Sequence, residues 1–452
     1  MQQKARLKKD SLGIGESVVM GVAGTAPAFS IAATTATLAA TVGTLAPASL
    51  LYCGLIMFGV TFSYMHLNRI NPNAGASYAW VGSIFNPVLG FFAGWALLVA
   101  SSVFMVSATI PAATATLLLV RPELANDPSV VTFVAAGWLL AVSAIVVKGI
   151  KPTSYAQIVM TGVEIAVLVL IVLVAAIKFG TAPVHPFSLK WFSAAEFSPR
   201  LFSTGALIAL FYFWGWDVTV NLNEETRDPG HAPGRGALWA MLIVLLLFLS
   251  FATITLMVLT DSEIEQSGTN IVFAVAGKLF PKPWSYMAVI AVMLSSIGTL
   301  ETSILQFTRT MYAKGRDGAL HPRYALLHKT WQTPWVATAV IAFLGVLFLF
   351  LSSYFPTVNL IIKDSINAIG FQVAFYYGLA GLACAWHYRK QMFHSTYNLV
   401  FLVLWPTLSA AFLFYIAVYS IPTFDITTNV VGLGGLAIGI VPLLLNRKRL
   451  RP

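Results

Sequence analysis

Along this chain, long apolar runs alternate with short polar connections, and the runs number twelve. They cover residues 17–40, 46–67, 87–119, 129–147, 155–178, 201–222, 237–260, 284–307, 335–355, 357–386, 397–419 and 427–445. A helix of about 20 apolar residues crosses a hydrocarbon layer ~30 Å thick. The pattern therefore predicts an all-α polytopic membrane protein with 12 transmembrane helices. The third run is long and holds Pro111, which tilt or a kink would accommodate. Runs nine and ten are separated only by a tight turn at Ser353–Pro356. Asn270–Phe280 is apolar but too short to span. It reads as a re-entrant or lid helix over an outer vestibule, or else as a plain surface helix.

Two runs are interrupted. The sixth contains Gly215 between Trp214 and Trp216, followed by Asp217. The first contains Gly21 to Pro27, GVAGTAP, with two glycines and a proline that cannot donate a backbone hydrogen bond. Glycine lowers the cost of leaving helical geometry. Each site is either a break in a membrane helix or a close helix-packing glycine. Interrupted spans at corresponding positions of two halves are a sequence pointer to the binding site of a secondary transporter.

Composition agrees with the membrane assignment. The 452 residues are 58% hydrophobic and 10% charged, which excludes an ordinary soluble domain. Cys53 and Cys384 both lie inside apolar runs, so no disulfide framework is implied. The basic start, MQQKARLKKD, leads into an apolar run without a clear cleavage site and reads as an uncleaved first span. The net charge of +10 invites a nucleic-acid partner, but the distribution argues against one. With loops assigned alternately, 20 of the 27 Lys and Arg fall on the side of the two termini, spread over many loops. By the positive-inside rule both termini are cytoplasmic. The chain is expected in the plasma (inner) membrane, with the lipid bilayer as its surroundings. No HExxH helix, GxSxG elbow or histidine cluster is present, so an enzyme is disfavoured and neither a metal nor a cofactor is expected.

Four acids fall within apolar runs with no base near mid-span: Glu164, Asp217, Glu301 and Asp364. Ionisable groups at membrane depth are costly, by roughly 2.5–3.5 kcal/mol on insertion scales, and by default suggest function. Each could instead bond to a neighbouring helix. Asp364, beside Lys363 near an outer end, reads as facing water in the outer vestibule.

Four motifs resemble the amino acid–polyamine–organocation superfamily of permeases. Gly24-Thr25-Ala26 is similar to its G-[ST]-G break, with Ala26 in place of the last glycine. Pro72 to Tyr78, then Gly94-Trp95, resembles its P-x-x-G-x-x-Y…GW loop. Phe211 to Asp217 followed by Glu224-Glu225-x-x-x-Pro229 resembles its sixth-span break and exit. Arg309-x-x-Tyr312 and Arg316-Asp317-Gly318 resemble its R-x-x-Y…RDG signature.

The resemblance implies a LeuT-like 5+5 inverted repeat with broken helices 1 and 6. Its units would be a cytoplasmic tail (1–16), a first repeat (17–180), a second repeat (201–386), two peripheral spans (397–445) and a basic cytoplasmic tail (446–452). The implied substrate site is formed by Ala23, Gly24, Thr25 and Ala26 with Phe213, Trp214, Gly215, Trp216 and Asp217. There, freed N–H groups suit a carboxylate and freed carbonyls an ammonium. Trp214 and Trp216 are wall or packing residues. Asp217 would contact a substrate amine or cap the broken helix. Ser101, Ser102, Ser107 and Thr109 are further polar candidates.

Where many proton-coupled members carry a lysine in span 5, alignment puts Glu164 at or near that place. A carboxyl shielded from water can exchange a proton, which makes Glu164 a candidate proton carrier. The rival is sodium coupling through hydroxyls of Ser295 and Ser296. Arg69, Glu224, Glu225, Arg309, Arg316 and Asp317 are candidates for a cytoplasmic gate of ion pairs. The expected activity is secondary active transport of an amino acid by alternating access, as proton symport. The alternatives are a polyamine or organic amine transporter or exchanger, a sodium-coupled amino acid symporter, or a channel or sensor.

Overall fold

The computed structural model describes residues 6–354 and 358–446, the side chains of 358–363 excepted. The far end of the expected 353–356 turn, the Lys4 and Lys363 side chains and the basic tail from 447 lie outside the described residues. Among the described residues the chain is helical, with one isolated bridge between Leu12 and Thr226 in place of any strand.

The helices, in order, are α1 (Ile14–Thr25), α2 (Pro27–Val42), α3 (Ala46–Ile70), α4 (Ser77–Ile84), α5 (Pro87–Val120) and α6 (Pro128–Val147). There follow α7 (Ile150–Phe179), α8 (Pro199–Ala209), α9 (Val218–Asn221), α10 (Ala232–Val258), α11 (Asp261–Ser267) and α12 (Ile271–Leu279). The last are α13 (Met287–Arg316), α14 (Trp335–Ser352), α15 (Val358–Tyr388), α16 (Trp405–Ser420), α17 (Ile426–Ala437) and α18 (Ile440–Asn446). Each apolar run of the sequence coincides with one or two of them. Pro111 lies inside α5, which continues through it.

Ten helical stretches of the described residues are long and apolar enough to cross a membrane. One of them, Ile14–Ile70, is 57 residues long and contains α1, α2 and α3. Pro199–Phe213 is a shorter apolar helix. The chain is thus a multi-pass helical membrane protein.

Packing separates the helices into an enclosed set and an outer set. The spans of α13 and α15 have 78% and 83% of their most apolar window buried, against 17–33% for those of α6, α7, α14, α16 and α17–α18. Large apolar side chains such as Phe133, Ile177, Phe343 and Leu445 are exposed on the outer set. That is the arrangement expected where lipid tails cover the surface. The enclosed helices α3, α5, α10, α13 and α15 pack around the two interrupted segments, α1–α2 and α8–α9.

Candidate functional site

Both sequence interruptions are breaks. α1 ends where Ala26 takes a left-handed conformation, φ 47° and ψ 71°, and Pro27 then opens α2. Proline suits that position because the first N–H groups of a helix have no partner within it. Thus the last residue of the G-[ST]-G-like motif turns the chain as a glycine would, although alanine bears a Cβ there. In the second segment a 3₁₀ turn, Leu210–Phe213, leads to extended Trp214, then Gly215 at φ +105°, then the single turn α9. The breaks cross backbone to backbone at Gly24 and Gly215. A Cβ on either glycine would stand 2.2 Å from the carbonyl oxygen of the other.

Chain breaks at this depth leave backbone groups that need partners. Those of α2 are met by side chains from two other helices. The Ala28 N–H donates to Oε1 of Glu164 at 2.8 Å, and the Phe29 N–H to Oγ of Ser295 at 3.1 Å. The Ser295 hydroxyl donates to the same Glu164 oxygen at 2.7 Å. Glu164, 1% exposed on α7, therefore sits at the positive end of α2. Thr299 donates to the Gly24 carbonyl at 3.0 Å, and Ser30 to that of Thr25 at 2.7 Å. Ser296 bonds back to Val292 of its own helix.

Asp217 is fully buried, and its side chain does not cap α9. It accepts from Tyr377 at 2.8 Å and Tyr376 at 3.1 Å, both on α15. Tyr376 in turn accepts from the Trp214 indole at 2.7 Å. Asp217 thus orients Trp214 through a tyrosine. Trp214 meets Phe104 edge-on at 4.8 Å, and Phe104 contacts Phe29. Trp216 is enclosed instead, stacked on Tyr377 and met edge-on by Tyr64. Phe213 packs against Phe248 of α10. On α5, Ser102, Ser107 and Thr109 bond back to their own helix.

On the face that carries the N-terminal segment, charged side chains pair beneath a cavity of about 1070 Å³ lined by Glu224 and Arg316. Arg309 makes a bidentate pair with Glu225 at 2.8 and 3.0 Å, both side chains essentially unexposed. Nearer the surface Arg316 pairs with Glu224 and Asp317. Residues 11–12 lie across this region, the N–H groups of Ser11 and Leu12 both donating to the Glu225 carbonyl. Arg69 is exposed at the end of α3 and joins none of these pairs.

The opposite face holds a cavity of about 390 Å³ that descends to Phe29, beside the break. Asn270, Val272 and Phe273 form one of its walls, so the short apolar segment borders this vestibule. Lys278 pairs with Glu263 across α11 and α12 and holds that carboxyl below its usual range. Asp364 is half-buried near the start of α15 and does not line this cavity.

Sequence reasoning missed the partners that give these residues their geometry: Thr299, Tyr376 and Tyr377. The adjacent tyrosines in an otherwise apolar run were a visible signal for the last two. It also missed Lys314, which is fully buried and has no acidic partner among the described residues. Its Nζ donates to the Phe91 carbonyl at 2.7 Å and lies 3.8 Å from the Phe91 ring centroid, with Tyr78 and Trp95 nearby.

Two broken helices that cross backbone to backbone, among helices long and apolar enough to span a membrane, define a multi-pass membrane protein. The model of the amino acid permease family matches residues 14–441, and the chain belongs to that family. A low-affinity putrescine importer, PlaP, of Escherichia coli strain K12 is 28% identical over 64% of this chain and 63% of its own length. A branched-chain amino acid permease, BcaP, of Lactococcus lactis subsp. cremoris is 25% identical over 60% of this chain and 61% of its own. A serine/threonine exchanger, SteT, of Bacillus subtilis is 22% identical over 62% of this chain and 63% of its own. The matched stretch spans less than two thirds of the length of these relatives.

Proposed function

We propose that the protein is a secondary active transporter that carries an amino acid across the plasma membrane by alternating access, coupled to protons. The observation that carries this reading is the backbone crossing at Gly24 and Gly215, with the helix start beside it held by a titratable side chain. Family membership and the relatives' printed substrates, amino acids and a polyamine, support the substrate class. Counting Ile14–Ile70 as two crossings and the interrupted 199–221 segment as one more brings the ten candidate spans to twelve. Twelve crossings fit a 5+5 inverted repeat with two additional spans, and put both termini on one side. The excess of basic loops makes that side cytoplasmic.

Coupling follows from competition for one donor. While Glu164 is ionised, its charge-assisted bonds hold the Ala28 and Ser295 donors. A proton on Glu164 weakens that hold and frees the Ala28 N–H for the carboxylate of a substrate arriving from the outer cavity. The two hydroxyls that a sodium ion would need together do not converge, Ser295 bonding to Glu164 and Ser296 to its own helix, which favours the proton as the coupled ion. Inward opening then requires separation of Arg309 from Glu225 and withdrawal of the 11–12 segment. A second reading, a polyamine or other amine, is favoured by the same occupied N–H groups, since an amine needs no carboxylate site.

The test is uptake into proteoliposomes under an inward proton gradient. Glu164→Gln is expected to abolish gradient-driven accumulation while leaving substrate exchange. Wild-type accumulation in that variant would overturn proton coupling through Glu164.

A further inference from the structure

The buried face of α7 changes character along its length. From the membrane centre toward the N-terminal face it carries Glu164, Thr161, Gln157, Ser154 and Thr153. In the other direction it carries only Leu168, Ile171 and Ala175. A polar stripe thus runs from the break toward one face and ends one turn short of the helix start, at buried Ile150. Glu164 to Gln157 is seven residues, roughly 10 Å of helix.

Facing the lower part of this stripe is Glu301 of α13, 2% exposed, flanked by Gln157 and Thr153. The Gln157 amide is fixed by its donation to the Gly298 carbonyl at 2.7 Å. That leaves the Gln157 carbonyl oxygen buried without a donor, and Oε2 of Glu301 is buried without one too. Among the described residues no lysine, arginine or histidine pairs with Glu301. The titratable group on α7 that shares this stripe is Glu164. The buried bases on α13 itself, Arg309 and Lys314, are held by Glu225 and by the Phe91 carbonyl. An ionised carboxylate in such a place is left uncompensated. One proton on Glu301 removes the charge and supplies the missing donor.

We propose that Glu301 is a second proton-binding carboxyl of the transport cycle, linking Glu164 at the break to the N-terminal face through Gln157 and Thr161. This rests on the proton-coupled reading. In the conformation described here Glu301 holds a proton while Glu164 accepts two hydrogen bonds as a carboxylate. When the N-terminal face opens, Glu301 passes its proton to water there and becomes a carboxylate. It then takes the proton that Glu164 had bound from the outer cavity along with the substrate, and Glu164 returns to its carboxylate form, so one proton crosses for each cycle.

Two measurements on the full-length protein test this. Infrared difference spectroscopy at neutral pH should show the C=O stretch of a protonated carboxyl that is lost in Glu301→Gln and kept in Glu164→Gln. In proteoliposomes, with isoleucine and putrescine as probes, Glu301→Gln should keep exchange and lose proton-driven accumulation. A wild-type spectrum without this band, a band that survives E301Q, or full accumulation by E301Q would overturn the role of Glu301. Full accumulation by E164Q alongside loss in E301Q would instead refute the coupling role of Glu164. Because the infrared readout needs no transported probe, it decides the protonation of Glu301 whichever substrate the protein carries.

Discussion

Replacing Gly24 by alanine tests the crossing of the two breaks. The added Cβ would lie 2.2 Å from the Gly215 carbonyl oxygen and 2.8 Å from its carbon, where ordinary contact begins at 3.4 Å. Both atoms are backbone, so no side chain can swing away, and the segments must part by about 1 Å. Overpacking of this kind costs about 1–3 kcal/mol. Against it stands a gain of up to ~1 kcal/mol, because Gly24 is helical and alanine favours helix. Gly215→Ala meets the mirror-image clash and adds strain of about 1–3 kcal/mol, since its φ is +105°. Gly137→Ala on α6 is the control, with nothing within 4 Å of a new Cβ. Thermal unfolding of the purified proteins should rank G137A at or above wild type, then G24A, then G215A. If G24A melts together with G137A, the two backbones do not meet as described.

Three further substitutions probe the elements around the crossing. Arg309→Ala leaves the Glu225 carboxylate buried and unpaired, at a cost of about 3–5 kcal/mol; R309M combined with E225L should recover much of the lost thermal stability. Asp217→Asn offers one acceptor oxygen to two tyrosine hydroxyls, costing about 1–3 kcal/mol, and should shift the Trp214 fluorescence by releasing Tyr376. Lys314→Met, one atom shorter, fills most of the space inside the ring of Phe91, Tyr78 and Trp95 without the amino group. It should express and melt near wild type, whereas Lys314→Glu, facing the Phe91 carbonyl, should not accumulate in membranes.

Helix positions were legible in the sequence because membrane depth sets run length, and both breaks were legible because glycine and proline mark departures from helical geometry. The acids at depth were equally visible, and Glu164 does adjoin the first break. Invisible was what each polar group touches. The gate candidates show why: Glu224, Glu225, Arg309, Arg316 and Asp317 pair, but Arg69 does not, since pairing depends on the direction a side chain takes around its helix. Ser295 and Ser296 are neighbours in sequence, yet one meets Glu164 and the other its own helix. Trp214 and Trp216 diverge in the same way, because extended Trp214 and the positive φ of Gly215 after it send one ring to Phe104 and Tyr376 and the other to Tyr64 and Tyr377. Lys314 escaped notice because a carbonyl and aromatic rings, rather than an acid, surround its amino group.

The most direct test of the central claim is a thermal-shift screen of the wild-type protein and G215A against amino acids and polyamines, at acidic and neutral pH, with and without sodium. A ligand that binds the folded state raises the melting temperature by mass action. The account predicts that an amino acid stabilises the wild type, more strongly at acidic pH and regardless of sodium, and that G215A loses the shift. An amino acid shift that requires sodium, or one that survives unchanged in G215A, would contradict it.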